Sequence, residues 1–463
     1  MHTIVALSTG SIHGAIAIVR ISGPDAVSIA DILFRSARGA KLSSLPPRVA
    51  HFGELLDGDA AIDQVVATRY QAPRSYTGED MVEFACHGSS FIVERLLQMA
   101  MAKGARMAEK GEFTRRAFLN GKLDLAQAEA VADLINAQTA PQTQMALMQL
   151  KGGLSKTIDT LKAQLLELSA LLELELDFSE EDVEFANRGR LMQLTQQAQS
   201  GIERLLSSYT SGNAVREGVR IVITGSPNAG KSSLLNALAQ EEIALVSDIP
   251  GTTRDAIETT LRVNGLQFRL TDTAGLRQSA DPVERMGVQR AEQRIAQAAA
   301  LIVVVDATLP WEHIKKDINA ATRHAAHGAR IAILLSKVDL TPASELEQRY
   351  ALTQKEFPSA THLRWAAPTR HGEQEILQWL SSIAAQLLPQ GEAVVVTSAR
   401  HAAALSEARQ SLEGLAQSLD GHVTTDILAF QLRAAIDSLT SITGGVDSNA
   451  VLDYIFSRFC IGK

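Results

Sequence analysis

Gly225-Ser-Pro-Asn-Ala-Gly-Lys-Ser232 fits the spacing G-x-x-x-x-G-K-[ST] in full. An apolar run, Val219-Arg-Ile-Val-Ile-Thr224, precedes it, and Ser233-Leu-Leu-Asn-Ala-Leu-Ala239, rich in helix formers, follows. Strand, glycine turn and helix in that order separate a phosphate-binding loop from an ordinary glycine-containing turn. Gly225 and Gly230 permit backbone angles that aim successive N–H groups inward, at the positive end of the helix dipole. Lys231 then reaches the β- and γ-phosphates, and the Ser232 hydroxyl is placed to hold Mg²⁺. The stretch predicts a nucleoside triphosphate site in an α/β domain.

Which base is read follows from three further apolar runs. Leu266–Thr271 ends in Asp272-Thr-Ala-Gly275, as expected for a carboxylate near Mg²⁺ and a glycine N–H near a γ-phosphate. Leu301-Ile-Val-Val-Val305 has no motif and reads as a buried central strand. Ile331–Leu335 delivers Ser336-Lys-Val-Asp339. A carboxylate at Asp339 accepts from guanine N1–H and the 2-amino group, donors that adenine lacks, so a buried Asp339 would discriminate strongly. Lys337 is expected along the base plane. The usual pattern here is Asn-Lys-x-Asp, and Ser336 is too short to copy every contact of an asparagine. That predicts weaker binding with guanine choice retained. Trp365-Ala-Ala367, after an apolar strand and before a helix, is a better-placed second base loop than the look-alike Thr397-Ser-Ala399.

Between these motifs lies Gly251-Thr-Thr-Arg-Asp255, where either Thr252 or Thr253 could close over Mg²⁺ and the γ-phosphate. Leu276 stands where small regulatory GTPases place a water-orienting glutamine, and it can neither donate nor accept. Asp281 and Glu284 are the nearby carboxylates; Arg277 and Arg285 are candidates for a cis arginine. Asn228, with carbonyls of the Ser247–Thr252 loop, could instead bind a monovalent cation where an arginine finger would act.

At 463 residues the chain should hold two to four domains, and 46% hydrophobic content is ample for their cores. The longest apolar run, Ala298–Val305, is strand-sized, far short of a membrane span. The segment Met1–Gly10 lacks the basic start of a signal peptide. Two cysteines, Cys86 and Cys460, are too few for a disulfide framework, and the reading points to reducing cytoplasm. A net charge of −8 argues against indiscriminate nucleic-acid binding. Locally, six basic residues (Lys103, Arg106, Lys110, Arg115, Arg116, Lys122) face only Glu109 and Glu112, either a phosphate-meeting patch or a solvated helical face.

Changes of period divide the chain. Short β-rich runs (Ile4–Leu7, Ala15–Ile21, Val65–Tyr70, Met81–Ala85) predict an α+β domain over 1–118. Leu147, Leu154, Ile158, Leu161, Leu165, Leu168 and Leu172 predict one long helix whose apolar seam packs in a bundle, and a second helix spans Leu191–Tyr209, ending near Ser211-Gly212. The helical domain takes 119–216, the P-loop domain 217–385, and helices return over 386–463 through Ala402–Leu419, Thr425–Leu439 and Ala450–Phe459. The fold class is thus multi-domain α/β plus α, with a P-loop domain inserted in a helical one. The amphipathic segment Val451–Phe459 would anchor Cys460, which is either a nucleophile beside a lysine or a half-buried structural cysteine.

Gly225–Ser232, Gly251–Asp255, Asp272–Gly275 continuing to Val283-Glu-Arg285, Val19-Arg-Ile-Ser-Gly23, Tyr76-Thr-Gly-Glu-Asp80, Gly111–Glu129 and Phe459-Cys-Ile-Gly-Lys463 together resemble the MnmE (TrmE) family of tRNA-modification GTPases. The resemblance spans the chain and is weakest at Ser336 and over 308–330. It implies a Ras-like G domain inserted in a helical bundle behind an N-terminal folate-binding and dimerising domain. By motif, GTP contacts would fall on Asn228, Ala229, Gly230, Lys231, Ser232, Ser233, on Ser247, Asp248, Ile249, Pro250, Gly251, Thr252, Thr253, on Asp272, Thr273, Ala274, Gly275, and on Ser336, Lys337 and Asp339. Asn228, Ser247, Ile249 and Thr252 would surround K⁺, Ser232 and Thr253 would hold Mg²⁺, and Glu284 would orient the hydrolytic water. Arg20, Glu79, Lys122 and Lys463 would bind 5-formyltetrahydrofolate, and Cys460 would take part in chemistry. The implied partners are a second copy of the chain, an FAD protein of the MnmG (GidA) type in a heterotetramer or larger complex, and tRNA, with no membrane. The alternative is a GTP-switched assembly factor, of the ribosome-maturation kind, without modification chemistry.

Overall fold

The computed structural model describes residues 2–10, 14–177, 188–240, 258–272, 292–326, 328–388, 394–420, 424–445, 449–457 and 459–463. Two compact units account for them: 1–136, 146–203 and 403–463 in the first, 137–145 and 204–402 in the second.

The first unit opens with β1 (Ile4–Leu7), β2 (Ile16–Ser22), β3 (Phe34–Ser36), β4 (Ala50–Asp57), β5 (Ala60–Tyr70), β6 (Met81–His87) and β7 (Arg106–Met107). They form one sheet in the order β3-β4-β5-β6-β2-β1-β7, antiparallel except where β7 runs parallel to β1. Helices α1 (Ala26–Leu33) and α2 (Ser90–Ala102) supply Ile29, Leu33, Val93 and Leu96 to a core shared with Val19, Ile21 and Phe84 of the strands. Strand β4 was not among the four runs expected from the sequence: its burial does not alternate cleanly, and pairing with β5 is what makes it a strand.

Helices α3 (Glu112–Leu119) and α4 (Leu125–Asn136) lead from that sheet into the bundle. The single long helix expected from Leu147 onward is two, α5 (Ala140–Leu150) and α6 (Gly153–Asp177). Gly152, at φ +82°, breaks the chain between them, and the whole-heptad gap over Lys151 marks that break. Leu147 is consequently exposed, whereas Leu154, Ile158, Leu161, Leu165, Leu168 and Leu172 are all buried. The next helix, α7, runs Arg188–Glu217, past the end expected near Gly212. There the missing side chain permits close packing: a Cβ on Gly212 would overlap the Val396 carbonyl oxygen.

In the second unit β8 (Val219–Thr224), β9 (Glu258–Val263), β10 (Leu266–Asp272), β11 (Ala300–Asp306), β12 (Arg330–Ser336) and β13 (Thr361–Trp365) make a sheet ordered β13-β12-β11-β8-β10-β9. Only β9 is antiparallel. Helices α8 (Lys231–Gln240), α9 (Trp311–Thr322), α10 (Ala343–Glu356) and α11 (Glu373–Leu387) belong to this unit, and β11 is buried from Ala300 to Val305.

The chain then returns to the first unit through α12 (Ala399–Asp420), α13 (Thr425–Thr443) and α14 (Asn449–Phe456). Helix α13 packs along α6 and against α4. Leu452, Ile455, Phe456 and Phe459 close on Leu125 and Ala128 of α4, with the Phe456 and Phe459 rings 5.5 Å apart. The expected anchoring of the final residues is therefore present.

Candidate functional site

All five parallel strands of the second unit end on one edge; Asp306, Ser336 and Trp365 stand in register there, and Thr224 and Asp272 end the two strands beside them. From β8 the chain fills the positions on one side, β9 and β10, and then crosses to β11 on the other, and the crevice at such a reversal is where open α/β sheets bind ligands. The Gly225–Ser232 loop begins at that point. Gly225 has φ +142°, and a Cβ there would overlap the Val304 carbonyl oxygen of β11. Asn228 is exposed at φ +60°, and Gly230 follows at φ +96°.

Lys231, 5% exposed, curls back over the loop, its ammonium donating to the carbonyl oxygens of Gly225 at 3.0 Å and Ser226 at 2.8 Å. The Ala229 N–H donates to the Ser226 carbonyl at 3.2 Å. Ser232 and Ser233 are exposed at the start of α8, and the Ser232 hydroxyl lies 3.4 Å from Asp272 Oδ2. The buried Ser336 hydroxyl lies 2.6 Å from the Ala229 carbonyl and 3.0 Å from that of Val305. Lys337, at φ +56°, pairs with Asp306 at 2.6 Å. Burial alone would raise the Asp306 carboxyl, but hydrogen bonds from Lys337 and Thr308 outweigh it and hold the group below its ordinary value. Asp339 is exposed rather than buried, so the penalty for a wrong base arises only when a base covers it. Trp365 ends β13 beside Ser336, whereas Thr397 lies on no strand of this sheet.

Ser247, Asp248, Ile249, Pro250, Gly251, Thr252, Thr253, Thr273, Ala274, Gly275 and Glu284 lie outside the described residues, as do Leu276, Arg277, Asp281 and Arg285.

In the first unit a second cluster gathers around the 71–80 loop. Arg20 on β2 pairs with Glu83 at 2.7 Å and lies 5.3 Å from the Tyr76 ring centroid and 5.4 Å from that of Phe113. Glu79 accepts from the Ser22 hydroxyl at 2.8 Å and from Arg116 at 2.9 and 3.2 Å. The Lys122 ammonium donates to the Pro73 carbonyl at 2.9 Å. The structure thus brings Arg20, Glu79 and Lys122 to one loop. Lys463 is half-buried at the end of the tail, where the Ser8 hydroxyl donates to the Gly462 carbonyl at 3.2 Å. Ile461 bridges to Lys110, and the Gly111 N–H donates to Cys460 O at 3.3 Å.

Much of the basic run between Lys103 and Lys122 is committed internally. Arg106 grips Glu112 with both nitrogens at 2.8 and 2.5 Å, Arg115 pairs with Asp453 at 3.0 Å, and Arg116 is buried between Glu79 and Glu112. Burial would raise the Glu112 carboxyl; Arg106, the Glu109 N–H and Arg116 together hold it low. This geometry favours neither a continuous phosphate-meeting patch nor a freely solvated face.

Sequence reasoning missed Asp306, Glu83 and Arg116 as site-organising groups. Asp306 carried a readable signal, a lone carboxylate closing a wholly apolar strand. One partner of Arg116, Glu112, is an i,i+4 neighbour on its own helix, but Glu79 lies 37 positions away and only the fold brings it there.

Both cysteines are free. Cys86 is buried and its thiol is pushed up to about 11, by burial first and by Asp63 second, whereas Cys460 is exposed. At pH 8 the folded protein should take up one equivalent of iodoacetamide, on Cys460, and a second on Cys86 only in denaturant; peptide mass mapping checks this.

Two family models match: that of the MnmE helical domain over residues 125–460 and that of the GTP-binding protein TrmE N-terminus over 3–122. The tRNA modification GTPase MnmE of Christiangramia forsetii is 40% identical over 470 residues, covering 100% of this chain and 99% of its own. That of Chlorobium phaeobacteroides is 44% identical over 466 residues, covering 99% of this chain and 97% of its own. Among solved structures, the FeoB G domain from Methanococcus jannaschii matches 36% of this chain and 98% of its own at 23% identity, with a TM-score of 0.27, a likeness too slight to add to the fold already described. Matches that run the length of the chain, on top of a P-loop at the switch point of a parallel sheet, place it in the MnmE family.

Proposed function

We propose that this chain hydrolyses GTP to GDP and phosphate with Mg²⁺ and uses that hydrolysis in modifying tRNA. The observation that carries the reading is the convergence of Lys231, Ser232, Asp272, Ser336 and Lys337 on one edge of the sheet, at the strand reversal. Ser232 and Asp272 present hard oxygens 3.4 Å apart, a donor set that suits Mg²⁺, which when bound neutralises phosphate charge. Lys231 sits where its ammonium can exchange loop carbonyls for phosphate oxygens. Asp339 reads guanine, and by the family's motif Glu284 orients the attacking water, a task Leu276 has no polar group to perform.

Further parts of the reading rest on the family. Asn228, exposed on the loop, would share K⁺ with Ser247, Ile249 and Thr252, and Thr253 would complete the Mg²⁺ shell. The acidic and basic groups around the 71–80 loop suit a folate: Glu79 would accept from a pterin edge, Arg20 and Lys122 would meet glutamyl carboxylates, and by the family's motif Lys463 of the tail would join them. 5-Formyltetrahydrofolate would supply a one-carbon unit, and Cys460 is exposed for chemistry. The full reading is a cytoplasmic homodimer that joins an FAD protein of the MnmG type and places a carboxymethylaminomethyl-type group at C5 of the wobble uridine. Among the described residues no helix is long and apolar enough to cross a membrane. The corresponding domains are 1–118, 119–216 with 386–463, and 217–385.

Deleting the gene should remove 5-substituted wobble uridines from tRNA hydrolysates analysed by mass spectrometry. Wild type should restore them and Glu284→Ala should not, while Glu284→Ala binds GTP normally but turns it over slowly. Unchanged uridines in the deletion strain would defeat the modification reading and leave the GTPase reading standing.

A further inference from the structure

Ser336 occupies the first position of the base-reading motif, yet its hydroxyl is buried against two main-chain carbonyls. It is 1% exposed, and its oxygen lies 2.6 Å from the Ala229 carbonyl and 3.0 Å from the Val305 carbonyl. A hydroxyl has one proton, and both neighbours are acceptors, so that proton is shared between them and none is left to donate to a nucleobase. The shorter contact ends on the phosphate loop itself, at the residue before Gly230-Lys231. Gly230 lies against the same side chain, since a Cβ placed there would sit 3.8 Å from Ser336 Cβ. Ala229 is itself buried, held by its N–H bond to Ser226 at 3.2 Å. Val305 belongs to strand β11, buried and paired on both sides, so the hydroxyl ties the loop to the interior of the sheet.

We infer that Ser336 is a positioning residue for the phosphate loop and takes no part in choosing the base. It fixes the Ala229 carbonyl, and with it the direction of the Gly230 N–H in the same peptide plane, through one hydroxyl. Guanine choice then falls to Asp339, which lies three residues on and is exposed to the incoming base. This inference rests on the guanine-nucleotide reading above and predicts something that reading does not. A residue touching the base changes the ratio of affinities between bases, whereas one acting through the phosphate loop changes all diphosphates by one factor.

The test uses the full-length protein and fluorescence-detected dissociation constants for guanosine diphosphate and 2-amino-7-deazapurine riboside diphosphate, the latter lacking N7, the 6-oxygen and the N1 proton. Ser336→Ala should weaken both about tenfold, ~1.4 kcal/mol, and leave their ratio unchanged. Ser336→Thr keeps the hydroxyl and should restore both, which also guards against a simple folding defect in the alanine variant. Asp339→Asn, by contrast, should move the ratio. Unaltered affinities in Ser336→Ala would overturn the tether, and a loss confined to guanosine diphosphate would show that Ser336 reads the base. Failure of wild type to bind either diphosphate would defeat the guanine-nucleotide reading itself, an outcome distinct from both.

Discussion

Lys231→Ala should lower GTP turnover by about 10²–10³-fold or more, the scale on which removal of a single charge-stabilising donor acts. The wild-type ammonium already has two acceptors, the Gly225 and Ser226 carbonyls at 3.0 and 2.8 Å. Removing it leaves those carbonyls beside a loop that water can reach, so the nucleotide-free protein should fold and melt nearly as wild type does. What disappears is the response to ligand. At a hundredfold excess over its dissociation constant, a nucleotide stabilises a protein that binds it by about 2.7 kcal/mol. The variant should show little of that rise in a thermal melt with GTP and Mg²⁺. Turnover within a few-fold of wild type would mean that Lys231 does not reach the phosphates.

Gly225→Ala should act on the fold before it acts on the nucleotide. The residue has φ +142°, where side chains are rarely tolerated, and its new methyl group would meet the Val304 carbonyl of β11. That strand is central and wholly buried, so the loop would have to move instead. Backbone strain and the displaced packing together should cost about 3–5 kcal/mol. Gly328→Ala is the control: it too has positive φ, +87°, but nothing lies within 4 Å of an added Cβ. Its cost should be only the left-handed backbone penalty, about 1–2 kcal/mol. Urea unfolding with matched slopes would separate the two. Equal midpoints for Gly225→Ala and Gly328→Ala would refute the steric argument.

What could be read from the chain alone was what obeys a short period. The Val219–Thr224 run, the phosphate loop and the buried Leu301–Val305 strand announce themselves within a dozen residues, and the leucine seam from Leu154 to Leu172 keeps its spacing. The break at Gly152 was hidden because a heptad gap leaves the seam in phase on both sides. Gly212 looked like a helix end and proved to be a close contact with Val396, 184 positions on by sequence number. The cluster around Glu79 was legible only as separate charged residues. The Glu112–Arg116 pair follows the i,i+4 spacing of one helix, but that Arg116 also meets Glu79, or that Arg20 is held by Glu83 against two rings, depends on pairings no local pattern encodes.

The insertion of one unit within another sets an order of events during synthesis. Helix α6 ends at Asp177 and its partner α13 begins at Thr425, about 250 residues later. At roughly 5–20 residues per second, a ribosome needs on the order of 12–50 seconds to bridge that interval. Throughout it the stretch of leucines that α13 will cover is out of the exit tunnel without its lid, while the whole nucleotide-binding unit has time to fold. The nascent bundle is therefore a natural client for a holding chaperone, and the nucleotide-binding unit is complete before it is.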